Sequence, residues 1–220
     1  MTERSIQPVW TIDAAASLQD ILDDPSCPEL LRRAVRETRS WQIRNETSVL
    51  RVIKASQLMP QCLATLLALR AGVTLEGLGE TPLEELIPQG VKGRITTLRI
   101  PTQGTSVRWG EAHVARAPAE EPIVAAVAAV KMSDQRVEAA RVALSGTWPE
   151  PVRLARAPGM LIGGPLSPER IEAVAVAVEQ EADPRGDFMG SVAYRRAMAR
   201  VLTRRALEAC VAAPTAGGKQ

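Results

Sequence analysis

Few side chains in this sequence are of the kinds that make or break bonds. His113 is the only histidine, so a Ser/His/Asp triad would have to run through it, and no serine is placed to suggest one. At strand pitch it shares a face with Trp109 and Glu111, and the residues alone read it as a satisfied packing residue. Cys27, Cys62 and Cys210 stand far apart with no Cys-x-x-Cys spacing, so neither a zinc site nor a disulfide framework is indicated. Gly163-Gly164-Pro165 reads as a turn before a helix, and no Gly-x-Gly-x-x-Gly, P-loop or Gly-x-Ser-x-Gly pattern occurs. The acid pairs Glu84-Glu85 and Glu120-Glu121 sit in polar stretches and read as solvent-facing. The expectation is a chain with no catalytic residue and no metal site of its own.

The elements that would position these residues fall into two textures. Val9 to Asp13 reads as a short strand, and Ser17 opens a short helix. Pro28 starts another, with Leu30, Leu31, Ala34 and Val35 as its apolar face. Thr47 to Ile53 is β-prone. Pro60 begins a helix through Leu63, Leu66, Leu67 and Leu69, closed by Arg70-Ala71-Gly72 in the manner of a glycine cap. Val73 to Leu78 reads as a strand, and residues 81–87 as a helical turn. From Gly93 four strand candidates follow in succession: 94–100, 106–115, 123–132 and 136–145. The third is continuously apolar and should be central in an antiparallel meander. Two helices close the chain. Ser167-Pro168-Glu169 starts the first, with Ile171, Val174, Ala175 and Val178 as its stripe. In the second, Tyr194, Ala197, Met198, Val201 and Leu202 are expected on one face. Arg205 breaks that stripe, either snorkelling out or pairing with a carboxylate such as Asp187.

Composition bounds the rest. The chain has 220 residues, enough for one large domain or two small ones. Aromatic residues are 3%, so the core must be aliphatic. The 27 basic and 25 acidic residues leave a net charge of +2, too balanced to argue for nucleic acid. No apolar run approaches the roughly 18 residues a membrane span needs. The N-terminus lacks the order of a signal peptide, and a reduced cytoplasmic setting fits the cysteines.

Several stretches together resemble the flavin-carrying medium subunit of molybdenum hydroxylases, the carbon monoxide dehydrogenase and xanthine dehydrogenase family. Asp187-Phe188-Met189-Gly190-Ser191-Val192-Ala193-Tyr194-Arg195-Arg196, followed by Arg204-Arg205-Ala206-Leu207, looks like that family's Gly-Ser-x-x-Tyr-Arg helix ending in Arg-Arg-Ala-Leu. Residues 141–153 look like the strand and turn before it. Ser40-Trp41-Gln42-Ile43-Arg44-Asn45 is similar to the segment entering the family's second flavin-binding loop, and residues 57–69 to the helix after that loop. The resemblance covers about 9 to 211.

It implies an α+β fold: a small α/β remnant of a PCMH-type FAD-binding domain, then a four-stranded antiparallel sheet covered by helices. The expected divisions are a truncated second FAD-binding subdomain at 1–92, a CO dehydrogenase flavoprotein C-terminal-like domain at 93–211, and a disordered tail at 212–220. The family's first subdomain, with an Ala-Gly-Gly loop around the FAD pyrophosphate, is expected to be missing. Where the family's second loop reads Ile-Arg-Asn-x-x-Thr-x-Gly-Gly-Asn, the glycines are here Leu50 and Arg51, and the second Asn is Val52. The residues that carry over as flavin neighbours are Asn45, Ser48, Gln57, Ile95 and His113. The cofactor implied is FAD, with binding weakened by the lost glycines. The partners implied are a molybdopterin-containing large subunit and an iron–sulfur small subunit. Two functions follow: an oxidoreductase component that passes electrons through FAD, impaired or lost here, or a cofactor-free assembly subunit.

Overall fold

A computed structural model describes residues 9–37, 40–88, 90–101, 106–117 and 120–212. The chain folds as mixed helix and strand with two antiparallel four-stranded sheets. The first portion contains β1 (Val9–Asp13), α1 (Leu18–Asp23), α2 (Glu29–Glu37), α3 (Trp41–Glu46), α4 (Val49–Lys54), α5 (Pro60–Ala68), β2 (Gly72–Leu75), β3 (Gly79–Pro82), α6 (Leu83–Leu86) and β4 (Ile95–Pro101). Then come β5 (Val107–Val114), β6 (Val124–Ser133), β7 (Arg136–Ser145), β8 (Val152–Leu154), a 3-10 turn at Ala157–Leu161, α7 (Pro168–Glu181) and α8 (Val192–Ala212). The tail expected from 212 lies outside the described residues after Ala212, which itself ends α8.

Local chemistry accounts for most element starts. Ser17 caps α1 reciprocally: its hydroxyl accepts from the Asp20 amide, and the Asp20 side chain accepts from the Ser17 amide. In α2 the buried residues are Leu30, Leu31, Ala34 and Val35, and in α7 Ile171, Val174, Ala175 and Val178, as their spacing predicts.

Four expectations need correction. Residues 49–54 are helix α4 and not a strand. Ser48 caps that helix, and Val49, Val52 and Ile53 recur at helical spacing and are buried in the first core, so burial outweighs their β preference. The end of α5 is capped by Arg70 and not by Gly72. Arg70 takes a left-handed φ of 59°, its amide donates to Leu67 O and the Ala71 amide to Leu66 O. Among the four strands expected in one meander, β4 instead joins the first sheet, in the order β1-β4-β2-β3. It pairs Trp10 with Ile100 and Val73 with Leu98. The second sheet runs β5-β6-β7-β8, so β8 supplies its fourth strand. The sheets therefore change between Pro101 and Val107.

The fourth correction concerns α8. Its buried residues are Arg195, Ala199, Leu202, Thr203, Ala206, Leu207 and Cys210. Tyr194 and Arg205 are exposed. Arg205 does not interrupt the buried stripe; Arg195, a polar residue, belongs to it.

Strand β6 is buried on both faces, which explains its unbroken apolar run. Val124, Ala126, Ala128 and Val130 pack with α7 and α8, whereas Val127 and Ala129 join the core built around α5. Helix α8 lies close to β5: a Cβ on Gly110 would overlap the Ala206 carbonyl. Truncating Leu202 in this interface would cost about 2–5 kcal/mol.

Candidate functional site

The segment that follows Asn45 is where the resemblance would place phosphate-binding glycines. Its backbone donors are already engaged. The Val49 amide donates to Ala16 O at 3.0 Å, the Leu50 amide to Ala14 O at 2.8 Å and the Val52 amide to Ser48 O at 3.2 Å. The Arg51 amide donates to Ser48 Oγ at 3.3 Å. Ser48 thus uses its hydroxyl as a helix cap. Asn45 is exposed on α3, and its Nδ2 donates to Trp41 O one turn back at 2.8 Å. Phosphate is recognised by a concave nest of free amides, whereas the amides at 49–52 are bonded within the fold.

The other three expected residues lie apart. Ile95 is buried in the first core, where β4 begins opposite Leu75. His113 is exposed on β5 and not packed as expected. Its register partner is Ala125, which in turn pairs with Ser145, so the three form a row across the sheet. Gln57, in the turn between α4 and α5, lines a cleft of about 290 Å³ together with Pro60, Pro122, Ile123, Ser145 and Arg195. Asn45, Ser48, Ile95 and His113 do not line it.

At the back of that cleft the sequence builds its most connected polar group. Arg195 is 6% exposed. Its Nη1 donates to Ile123 O at 2.7 Å and Gly146 O at 3.1 Å, and its Nη2 to both Asp187 oxygens at 2.9 and 2.8 Å. Asp187 also accepts the amides of Met189 and Gly190. The hydrogen bond from Arg195 holds the Asp187 carboxyl below its ordinary range, opposed by burial and helped by these two amides. Gly146 carries a φ of 72°, and a Cβ there would overlap Ile123 O and come within 2.9 Å of Arg195 Nη1. One guanidinium therefore joins the start of β6, the end of β7, the turn before α8 and α8 itself. Beside it, the buried Ser145 and Thr147 hydroxyls have no hydrogen-bond partner among the described residues.

A second buried charge lies on β5. The Glu111 side chain is 6% exposed, and Arg33 Nε from α2 lies 2.6 Å from its Oε1. Arg33 also reaches Glu37 at 3.2 Å. Burial first, then the nearby Glu37, push the Glu111 carboxyl above its ordinary range, while Arg33 and Gln61 pull the other way. The three thiols are buried, and desolvation pushes each up to about 12. Among the described residues no group of three or more His, Cys, Asp or Glu side chains is placed to hold a metal ion. No described helix is long and apolar enough to cross a membrane.

Arg195 and Ser145 are the site residues that sequence reasoning missed. Arg195 stands in the Tyr-Arg motif, eight positions after Asp187, yet a charged residue is read as outward-facing until its partners are known.

Comparison with known proteins bears on both portions. Residues 112–210 match the CO dehydrogenase flavoprotein C-terminal domain. The nicotine 6-hydroxylase medium subunit of Paenarthrobacter nicotinovorans is 29% identical over 113 residues, 51% of this chain and 39% of that subunit. The match therefore spans well under half of that relative. Carbon monoxide dehydrogenase from Hydrogenophaga pseudoflava, in a form lacking the Mo-pyranopterin moiety of its molybdenum cofactor, superposes with a TM-score of 0.82. That likeness has 22% identity and covers 95% of this chain and 77% of that one. Quinoline 2-oxidoreductase from Pseudomonas putida 86 gives a TM-score of 0.77 at 20% identity, over 96% of this chain and 77% of that one. At such identities the likeness establishes the fold, and it extends through the first portion as well as the second.

Proposed function

We propose that this chain, built on a CO dehydrogenase flavoprotein C-terminal domain, is a medium-subunit-like component of a molybdenum hydroxylase in which FAD binding is impaired or lost. The observation that carries this reading is the engagement of the amides at 49–52. A diphosphate needs convergent free donors, and here the glycines that would present them are Leu50 and Arg51 within a helix. The residues present do not fit FAD at that segment, and no electron-transfer step is drawn through it. In the family the flavin does the redox chemistry and the protein orients it. Gln57, Ile95 and His113, the other residues the resemblance assigns to the flavin, are not gathered around one position, and Asn45 and Ser48 are turned to structural work.

In this reading residues 1–92 correspond to the second FAD-binding subdomain and 93–211 to the C-terminal-like unit, whose first strand completes the sheet of the former. The partners are a molybdopterin-containing large subunit and an iron–sulfur small subunit, in the cytoplasm. A second reading, a cofactor-free assembly subunit on the same partners, is favoured by one feature. Phe188, 89% exposed, sits on the turn that Asp187 and Arg195 hold rigid, beside exposed Val192 and Tyr194. Exposed aromatic anchors on a stiff support are the commonest energetic centres of interfaces. Co-expression with candidate molybdenum and iron–sulfur subunits tests both readings. A stable complex whose medium component carries no flavin absorbance supports them, and a partner-free monomer counts against both. Phe188→Ala should loosen such a complex in the second reading.

A further inference from the structure

At the other end of β6 and β7 from Ser145 a cleft of about 550 Å³ opens between the two sheets, within the size range of small-molecule sites. We propose that it binds a small organic oxyanion, a carboxylate or phosphate carried on an apolar body, through Arg70. Among the described residues four cations line the cleft, each from a different element: Arg70 after α5, Arg99 on β4, Lys131 on β6 and Arg141 on β7. Three of them are neutralised. Arg99 pairs with Glu80, Lys131 with Glu138 at 2.7 Å, and Arg141 with Glu84. Arg141 also donates to Leu67 O at 3.2 Å. Glu84, expected to face solvent, is thus a member of the cleft.

Arg70 is the exception. Its side chain is exposed, with no hydrogen bond or ion pair among the described residues. It also occupies the left-handed position at the end of α5, with φ at 59°, where helix ends favour glycine. An arginine held in a disfavoured backbone conformation, with an uncompensated charge in a cleft, is a feature that folding alone does not call for. The other half of the cleft is apolar, with Val73, Val107 and Ala129 in its wall. A guanidinium fork beside an apolar wall recognises an oxyanion that carries a hydrophobic body. Among the described residues, one free cation is too few for a nucleic acid.

The test is isothermal titration of the full chain with benzoate, phenyl phosphate, inorganic phosphate and neutral benzamide, repeated on Arg70→Gly. Benzoate or phenyl phosphate is expected to bind saturably, and which of them binds more tightly separates a carboxylate from a phosphate ligand. Arg70→Gly should weaken that binding by about tenfold or more. The variant should also melt at or above the wild type, because glycine adopts the left-handed φ freely, so lost binding is not lost fold. Four results would each overturn the proposal. Neither aromatic anion binds at about 10 mM, benzamide binds as tightly as benzoate, inorganic phosphate binds as tightly as phenyl phosphate, or Arg70→Gly keeps wild-type affinity.

Discussion

Two turns in this molecule show what the same kind of hydrogen bonding can serve. In the turn before α8, Asp187 and Arg195 draw together four pieces of the C-terminal portion, and the result is a joint built on one buried guanidinium. In the segment after Asn45, Ser48 and the carbonyls of Ala14 and Ala16 take up the amides of residues 49–52, and the result is a short helix. Both are local solutions to unsatisfied backbone groups. The first lies within residues 112–210, the part that matches the CO dehydrogenase flavoprotein C-terminal domain. The second lies outside that match, and its amides are used by the fold itself. The difference teaches that one part is secured through a single buried side chain and the other through backbone capping.

The sharpest way to break the comparison is at Arg195. Arg195→Met removes a buried cation and leaves the carbonyls of Ile123 and Gly146 without their donor, while Asp187, 45% exposed, keeps the Met189 and Gly190 amides and water. Denaturant unfolding should show a loss of about 2–3 kcal/mol. A loss under about 1 kcal/mol would mean that the turn holds itself and the joint is incidental. A smaller effect is expected at the other turn. The pair Leu50→Gly and Arg51→Gly restores glycines inside α4 and should cost about 2 kcal/mol without conferring flavin binding. If the double variant binds FAD and keeps its stability, the helix is only a default winding of the segment.

The least effect is expected at Glu111, between the two portions. Its carboxyl is held above the ordinary range in the folded state, so the unfolded chain releases that proton at lower pH. The unfolded state therefore gains over the folded one as pH rises from the ordinary glutamate value of about 4.3 to the raised folded value. Glu111→Gln removes the titration while Arg33 keeps Glu37. Melting curves should place the variant above the wild type at neutral pH, with the gap closing below about pH 4. A gap that widens on acidification would show that the Arg33 pair, not burial, dominates at this position.

Elements whose buried faces are made of Leu, Ile and Val were legible in the amino-acid sequence. The stripes of α2 and α7 follow directly from spacing, and the unbroken apolar run of β6 placed it inside its sheet, between β5 and β7. Helix α4 was not legible, because Val49, Val52 and Ile53 are β-branched and their helical spacing spans only five residues. The face of α8 was misread because it includes Arg195, Ala199 and Thr203, whose polarity or small size hides the period. The membership of β4 depends on pairing with β1, more than 80 positions earlier in the register Val9 to Pro101, which no local pattern encodes. Of the residues lining the smaller cleft, Gln57 is one the resemblance singles out, whereas Ser145 and Arg195 come together only once β7 and α8 are placed.

The central claim is that the amides after Asn45 are unavailable to a diphosphate. Equilibrium titration of the purified chain with FAD, followed by flavin fluorescence and repeated with riboflavin, tests it most directly. The account predicts no saturable FAD binding up to about 100 μM, and no advantage of FAD over riboflavin, since the diphosphate has nothing to meet. Stoichiometric FAD binding with a dissociation constant near or below about 1 μM, and tighter than that of riboflavin, would contradict it.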